Sequence, residues 1–195
     1  MTPQFLTLSS VLLIPAFAAA AVVSVDSYTH LSSFSSNYPD SGGVEMTNGI
    51  TDSLTWGGGF SINFAQVSAL TGWASVNPST EFDFGTTATI QQVTVWAADS
   101  NSSAGVAYPI GFTIRTPDNS FVHTVSGIPN PAGGGDTKPF IIGGFSVDTD
   151  KLIVTTQKSS SSWTMLSEVQ FNSTPEPSSA LLSIVALGMT LRRRR

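Results

Sequence analysis

The central part of the chain shows short runs in which hydrophobic and polar residues alternate, rather than the spacing of an amphipathic helix. In residues 89–97, for example, Val93, Val95 and Ala97 fall on one side of an extended chain. β-Branched and aromatic residues dominate these runs, and clusters of Gly, Pro, Asn, Asp and Ser separate them. The predicted strands are residues 60–64, 81–84, 89–97, 110–114, 121–125, 152–156 and 165–171.

A total of about seven to nine short strands predicts an all-β fold, a single β-sandwich of the jelly-roll type, rather than a parallel α/β fold. The sequence Pro-Asp-Asn-Ser at 117–120 is typical of a tight turn, so residues 121–125 are expected to return as a hairpin partner of residues 110–114. The Gly- and Ser-rich loops at 129–135 and 159–162 do not resemble domain linkers. We therefore expect one domain, residues 22–173.

Residues 1–21 have the composition of a secretory signal peptide. Residues 5–17 are mostly apolar, and the small residues of AFAAAAVVS follow, with several A-x-A cleavage registers between Ala18 and Ala21. The first four residues, MTPQ, contain no Lys or Arg, which departs from the usual pattern. Export of the body is the expectation.

The other end of the chain, residues 174–195, combines a Pro-Glu-Pro turn, an apolar run at 180–191 and four arginines. A helix over the apolar run would rise about 18 Å, short of a hydrocarbon core of roughly 30 Å. The arginines extend its reach by snorkelling and resist translocation, so they are expected on the cytoplasmic side. The alternative is a buried C-terminal helix with a basic end, which the lack of a polar face disfavours.

This order of segments closely resembles the PEP-CTERM sorting signal of Gram-negative bacteria. The resemblance implies recognition by an exosortase, a membrane transpeptidase-like processing enzyme, and export linked to extracellular polysaccharide. The sorting residues that it assigns are Pro175, Glu176, Pro177, Arg192, Arg193, Arg194 and Arg195. The body would then lie at the cell surface or in the extracellular matrix, held at first in the inner membrane by the C-terminal helix. Whether the tail is retained or cleaved stays open.

Charge and composition narrow the possible ligands. Residues 22–173 carry four basic and twelve acidic side chains, a net charge of −8. Such a surface repels phosphate backbones, so nucleic-acid binding is not expected, whereas neutral ligands and divalent cations suit it. Cysteine is absent, which excludes disulfides, zinc-thiolate sites and cysteine nucleophiles.

Catalytic patterns are missing. The chain has two histidines, His30 and His123, and contains no H-E-x-x-H, G-x-S-x-G or Walker sequence. Glu81 and Asp83 lie two residues apart on a predicted strand and share a face, but their position at a strand end favours a structural role over an acid–base pair. The chain is therefore not expected to be an enzyme.

Several segments follow one order along the body: TNGITDSLTW, STEFDFGTTATIQQVTVW, IGFTIRTPDNSFVHTV, KLIVTT and WTMLSEVQF. This order is similar to that of the discoidin, or coagulation-factor type C, domain of the galactose-binding-like superfamily. The resemblance implies an eight-stranded jelly roll that binds a ligand, in many relatives a carbohydrate, with loops at one end.

The resemblance also implies one structural Ca²⁺. The positions that match the family's ligands are Asn48, Asp52 and Glu168, with loop carbonyls completing the shell. Asn48 stands where the family usually has Asp, which removes one charge and should weaken the site. The alternative is that Asn48 and Asp52 cap a turn while Glu168 faces solvent.

Sugar binding needs an aromatic face and a few fixed polar groups. The candidates for an exposed platform are Trp73, Tyr108 and Trp163, with Arg115 as a donor to sugar hydroxyls; packing under a loop is the alternative for each aromatic residue. Trp56 and Trp96 are expected in the core. The predicted function is an exported, non-catalytic module that binds a glycan or extracellular polysaccharide, and the alternative is a structural or adhesive matrix protein without a specific small ligand.

Overall fold

All regular secondary structure in the described residues is β-strand. The computed structural model describes residues 21–51, 70–100, 105–131, 136–160 and 163–173. Its ten strands are β1 Ala21–Val23, β2 Ser27–His30, β3 Thr71–Ala74, β4 Ser79–Ile90, β5 Gln92–Ala98, β6 Gly111–Arg115, β7 Val122–Ser126, β8 Thr137–Ile142, β9 Val147–Gln157 and β10 Trp163–Ser173. Among these residues there is no helix that is long and apolar enough to cross a membrane.

The strands form two antiparallel sheets. The first has the order β1-β10-β5-β8, with β3 also paired to the beginning of β10. The second has the order β2-β4-β9-β6-β7. The predicted β-sandwich is therefore confirmed, and residues 21–173 form one compact unit.

The predicted hairpin is also present. Strands β6 and β7 pair from Gly111↔Ser126 to Arg115↔Val122. In the turn between them, the Asp118 carboxylate accepts a hydrogen bond of 3.0 Å from the Ser120 amide, and Asn119 adopts a φ of 59°. Asn tolerates this left-handed conformation better than most residues, so the turn sequence suits its geometry.

Several strands differ from the prediction: β4 and β9 are longer than expected, and β1, β2, β3 and β8 were not predicted. The pattern predicted a single strand over residues 89–97, but β4 ends at Ile90 and β5 begins at Gln92. The chain crosses from the second sheet to the first at Gln91, whose amide donates to the Asn172 carbonyl at 2.9 Å. The alternation changes phase at the crossing: Ile90 and Val93 are both fully buried, although they are three residues apart. The predicted strand at 60–64 lies outside the described residues.

The core lies between the sheets and is rich in aromatic side chains. Phe171 of β10 sits between Phe82 and Phe84 of β4, with ring centroids 5.0 Å from each. Burying one such side chain stabilises a fold by about 1.5–3 kcal/mol. A smaller cluster of Leu70, Ala98, Val106 and Met165 packs separately, with Tyr38 and Trp163 against it.

The two ends of the sandwich differ. At one end, which we call the turn end, Ala21 pairs with Ser173 and the connections are short, at 91 and 143–146, with the 116–121 hairpin turn on the same side. At the opposite end, which we call the loop end, the connections are 75–78, 99–110, 127–136 and 158–162. The longest connections therefore gather at the end far from where β10 finishes.

Candidate functional site

Residues 38–50, which we call the strap, run from the edge of the second sheet to the first sheet. The carboxylate of Asp40 fixes its beginning: Oδ2 accepts hydrogen bonds from the Tyr28 hydroxyl at 2.6 Å and from Nε2 of His30 at 2.8 Å. Tyr28 and His30 lie on β2 and their side chains point the same way, because they are two residues apart on a strand. The strap is thereby tied to the second sheet.

Charges around Asp40 are closely packed. Burial alone would raise the pKa of Asp40, but hydrogen bonds with Glu45, Tyr28 and His30 lower it below its ordinary value. Burial and the hydrogen bond to Asp40 raise the pKa of Glu45. Nδ1 of His30 lies 2.9 Å from the Thr80 hydroxyl. The group is inaccessible to a substrate, since the side chains of His30 and Asp40 are 10% and 2% exposed.

The end of the strap is tied to β10 of the first sheet. The Val169 amide donates to the Met46 carbonyl at 2.8 Å, and the Gly49 amide donates to Oε2 of Glu168 at 3.1 Å. The Asn48 side chain accepts from the Ile50 amide at 2.7 Å, which closes a turn, and Gly49 provides a φ of 78° that favours glycine.

Glu168 is a buried carboxyl group beside a cavity. Its exposed fraction is 2%, and the cavity of about 380 Å³ lies between β1, the 47–49 turn and the middle of β10. Burial raises the pKa of Glu168 to about 7, against the opposing effects of hydrogen bonds with Gly49 and Gln170. An acid group that titrates near neutral pH is unusual outside a functional site.

The structure brings two of the three predicted calcium ligands together. Asn48 and Glu168 both line this cavity, although they are far apart in sequence. Asp52 lies outside the described residues. Within the part of the chain that is described, no group of three or more His, Asp or Glu side chains is arranged to hold a metal.

Trp73 does not form an exposed platform. It is fully buried, its Nε1 donates to the Ser32 carbonyl at 3.2 Å, and its ring lies 5.2 Å from that of His30. Trp73 on β3 therefore packs in the core, which is the alternative to an exposed platform. Tyr108 is buried as well, and its hydroxyl donates to the Asp136 carboxylate at 2.6 Å.

Trp163 and Arg115 occupy opposite ends of the sandwich. Trp163 begins β10 at the loop end, is half-buried, and meets Tyr38 edge-on at 5.3 Å. Arg115 ends β6 beside the 116–121 turn, where its guanidinium donates to Oδ1 of Asn119 at 3.1 Å. The four predicted ligand-binding residues are thus not brought together in one site. Trp96, expected in the core, is half-buried on the strand face opposite Val95 and Ala97.

The loop end carries apolar side chains that sequence reasoning missed. Leu31, Phe34, Val76 and Ile110 are 52%, 36%, 41% and 46% exposed, and all follow or precede strand ends at this side. Residues 31–32 lie beside the beginning of β4, because the amides of both residues donate to the Ser79 carbonyl. Nothing in the hydrophobic pattern distinguishes these residues from core residues, so only the fold reveals their exposure.

Glu81 and Asp83 do not form an isolated acid pair. Both face outward from β4 and contact Nζ of Lys151, at 3.3 Å and 3.0 Å. Their role is structural, as the sequence suggested. The second histidine, His123, lies on β7 with its ring 5.0 Å from Phe145, away from these carboxylates.

Solved structures share this fold. No family model matches the chain, and no curated protein does. A family 32 carbohydrate-binding module of C. perfringens NanJ, in complex with galactose, is 9% identical over 80% of this chain and 100% of its own, with a TM-score of 0.50. A variant of the lectin-binding domain of lectinolysin, complexed with Lewis b, is 13% identical over 81% and 99%, with a TM-score of 0.54.

A third similar structure is the family 32 module of AlyQ in complex with 4,5-unsaturated mannuronic acid, 19% identical over 77% of this chain and 97% of its own, with a TM-score of 0.47. At these identities the likeness concerns the fold. It confirms that the body is a β-sandwich of the type found in family 32 carbohydrate-binding modules, as the resemblance to discoidin domains predicted.

Proposed function

We propose that residues 22–173 form an exported, non-catalytic module that binds a glycan at the loop end of the sandwich. The observation that carries this proposal is the group of exposed apolar side chains there, Leu31, Phe34, Val76 and Ile110, at the same end as the half-buried Trp163. The apolar face of a pyranose ring packs on such a surface while loop amides and hydroxyls bind its hydroxyl groups. Two of the similar structures, the NanJ module and the lectinolysin domain, were solved with sugars, which supports this ligand class.

Charge favours a neutral glycan. The body's net charge of −8 would repel a polyanionic polysaccharide at low ionic strength. Arg115 does not belong to this proposed site, because it lies at the end of β6 beside the 116–121 turn, four residues from Gly111 at the loop end. Trp73 and Tyr108 are buried, so they would not contact a sugar directly.

A glycan array followed by titration of the best ligand tests the proposal. We expect Phe34→Ala and Trp163→Ala each to weaken binding at least about tenfold, the effect of losing a central interface contact of roughly 1.4 kcal/mol. Ile141→Ala is the matched control, since Ile141 is 69% exposed but lies on the edge strand β8. Unchanged affinity in both loop-end variants would remove the site, and no binding to any glycan would favour a structural matrix protein instead.

We also propose that the Asn48–Gly49 turn and Glu168 hold one Ca²⁺, with Asp52 as a further ligand. The proposal is supported by the lining of the cavity, in which a buried carboxyl group and the side-chain amide of Asn48 supply the oxygen ligands that Ca²⁺ prefers. The cation would stabilise the ionised form of Glu168. Thermal melts with Ca²⁺ and with chelator check this: an unchanged midpoint at pH 8 would exclude the ion, since a ligand of the native state raises stability.

Export and sorting complete the proposal. Residues 1–20 and 174–195, which carry the predicted signal peptide and the PEP-CTERM-like tail, lie outside the described residues. We propose that an exosortase processes the chain near Pro175–Pro177 and that the tail holds it in the inner membrane until then. Mass spectrometry of the extracellular protein tests this: a mature chain that still ends in Arg192–Arg195 would contradict it.

A further inference from the structure

The hydroxyl group of Tyr28, on β2 of the second sheet, binds the strap at two places. This hydroxyl donates to Oδ2 of Asp40 at 2.6 Å and accepts a hydrogen bond of 3.2 Å from the Met46 amide. It therefore joins the side chain at the beginning of the strap to the backbone near its end. The ring of Tyr28 is fixed in turn, because it packs on Phe82 at 5.7 Å and on His30 at 5.3 Å.

The same short segment carries the turn over Glu168. Met46, whose amide binds the Tyr28 hydroxyl, accepts the Val169 amide through its carbonyl, and Gly49, three residues on, donates to Glu168. Between these anchors the Glu45 amide donates to Oδ1 of Asp40 at 3.3 Å and the side chain of Met46 is buried in the core, whereas residues 41–44 are exposed and Gly42 and Gly43 have positive φ. An exposed segment that contains two glycines is ordered only by the contacts at its two ends, because ordering it costs conformational entropy.

From this geometry we infer that Tyr28 is a positioning residue for the Glu168 site: its hydroxyl, with Asp40, holds the Asn48–Gly49 turn in place and couples the second sheet to cation binding on the first. The inference about the cation rests on the proposed Ca²⁺ site, whereas the positioning of the turn does not. Tyr28 does not touch the site itself. Its effect would pass through the backbone of residues 46–49.

The chain offers a matched pair of variants. Tyr28→Phe removes only the hydroxyl and keeps the ring packing on Phe82. Tyr108→Phe is the control for general loss of stability, because the Tyr108 hydroxyl also donates to a carboxylate, that of Asp136, on a different loop, and Tyr108 is more deeply buried than the half-buried Tyr28. Burial, followed by the hydrogen bond to the carboxylate, raises the pKa of both phenols, so the two hydroxyls are comparable donors.

Amide hydrogen exchange of the whole exported protein, with chelator and then with Ca²⁺, tests the inference. In chelator we expect the amides of Gly49 and Val169 to exchange at least about tenfold faster in Tyr28→Phe than in the unmodified protein. In Tyr108→Phe, their exchange should change only as much as the loss of global stability requires. Equal exchange in the two variants would overturn the positioning role, whatever the state of the cation.

Calorimetric titration with Ca²⁺ forms the second arm. If Ca²⁺ binds at least fivefold more weakly to Tyr28→Phe, while its dissociation constant for Tyr108→Phe is unchanged, the coupling between Tyr28 and cation binding is supported. Equal affinity in both variants overturns the coupling while leaving the proposed Ca²⁺ site intact. If the unmodified protein binds no Ca²⁺, the proposed ion is wrong and so is its coupling, and the exchange rates alone decide whether Tyr28 positions the turn.

Discussion

Replacing Glu168 by Gln should change how the stability of the protein depends on pH. The substitution keeps a side-chain oxygen that can accept from the Gly49 amide but removes the group that titrates. In the folded protein, burial raises the pKa of Glu168 from 4.5 to about 7. Because the folded pKa is the higher one, the contribution of Glu168 to stability is fully present below pH 4.5 and is lost as the pH rises through 7.

The size of the stability change follows from the difference between the folded and unfolded pKa values of Glu168. At about 1.4 kcal/mol for each pH unit between the two pKa values, ionisation of Glu168 costs the folded protein about 3 kcal/mol by pH 8 in the absence of a divalent cation. Asp40 and Glu45, whose pKa values are also displaced, are present in both proteins and cancel in the comparison. The difference in unfolding free energy between variant and unmodified protein therefore isolates Glu168.

Urea unfolding in chelator at pH 4.5, 6, 7 and 8 measures this difference. We expect Glu168→Gln to gain stability relative to the unmodified protein across this range, with most of the change between pH 4.5 and 7, where the unfolded chain ionises at this position and the folded protein does not. With Ca²⁺ added, the unmodified protein should recover stability more at pH 8 than at pH 5.5, because protons compete with the cation for the carboxylate. If the unfolding free energies of the two proteins in chelator changed with pH in the same way, Glu168 would not be a buried carboxyl group with a raised pKa.

Three further substitutions test the packing. Trp73→Ala should destabilise by about 3–5 kcal/mol, lowering the melting midpoint by roughly 10 °C or more, because Trp73 is fully buried; a shift of only a degree or two would mean that Trp73 is not a core residue. Gly111→Ala should also lower the midpoint, since a Cβ there would lie 2.6 Å from the Val125 carbonyl oxygen, whereas a neutral result would show that β6 and β7 separate easily. Lys151→Met should change stability by less than about 1 kcal/mol in urea unfolding, because the ion pairs with Glu81 and Asp83 are partly exposed; a larger loss would indicate a stronger network.

The sandwich was predictable because its long strands are half-buried. Alternation is clearest in the first half of β4, where Thr80, Phe82 and Phe84 are buried, and in β7, whereas six consecutive residues of β10 are buried. The strand boundary at Gln91 was missed, although the sequence carries a signal: two consecutive polar residues, Gln91 and Gln92, shift the buried positions from even to odd numbers. The short strands β1 to β3 leave too few residues for alternation to be read.

The sites show a similar division. The proximity of Asn48 and Glu168 followed only from the family resemblance, because no local spacing relates residues so distant in sequence. Trp73 and the exposed Phe34 have the same kind of sequence context, and only the fold separates a core residue from a surface one. The Tyr28–Asp40 contact also needed the fold, although the spacing of Tyr28 and His30 already placed both on one strand face.

The most direct test of the central claim is to map a bound glycan on the protein by NMR. Titration with the best neutral glycan should shift the amide signals of residues 31–34, 75–78 and 105–110 at the loop end, and leave those of 116–121 and 143–146 at the turn end unchanged. Shifts confined to the turn end, or no shifts with any glycan, would contradict the assignment of this sandwich as a loop-end glycan-binding module.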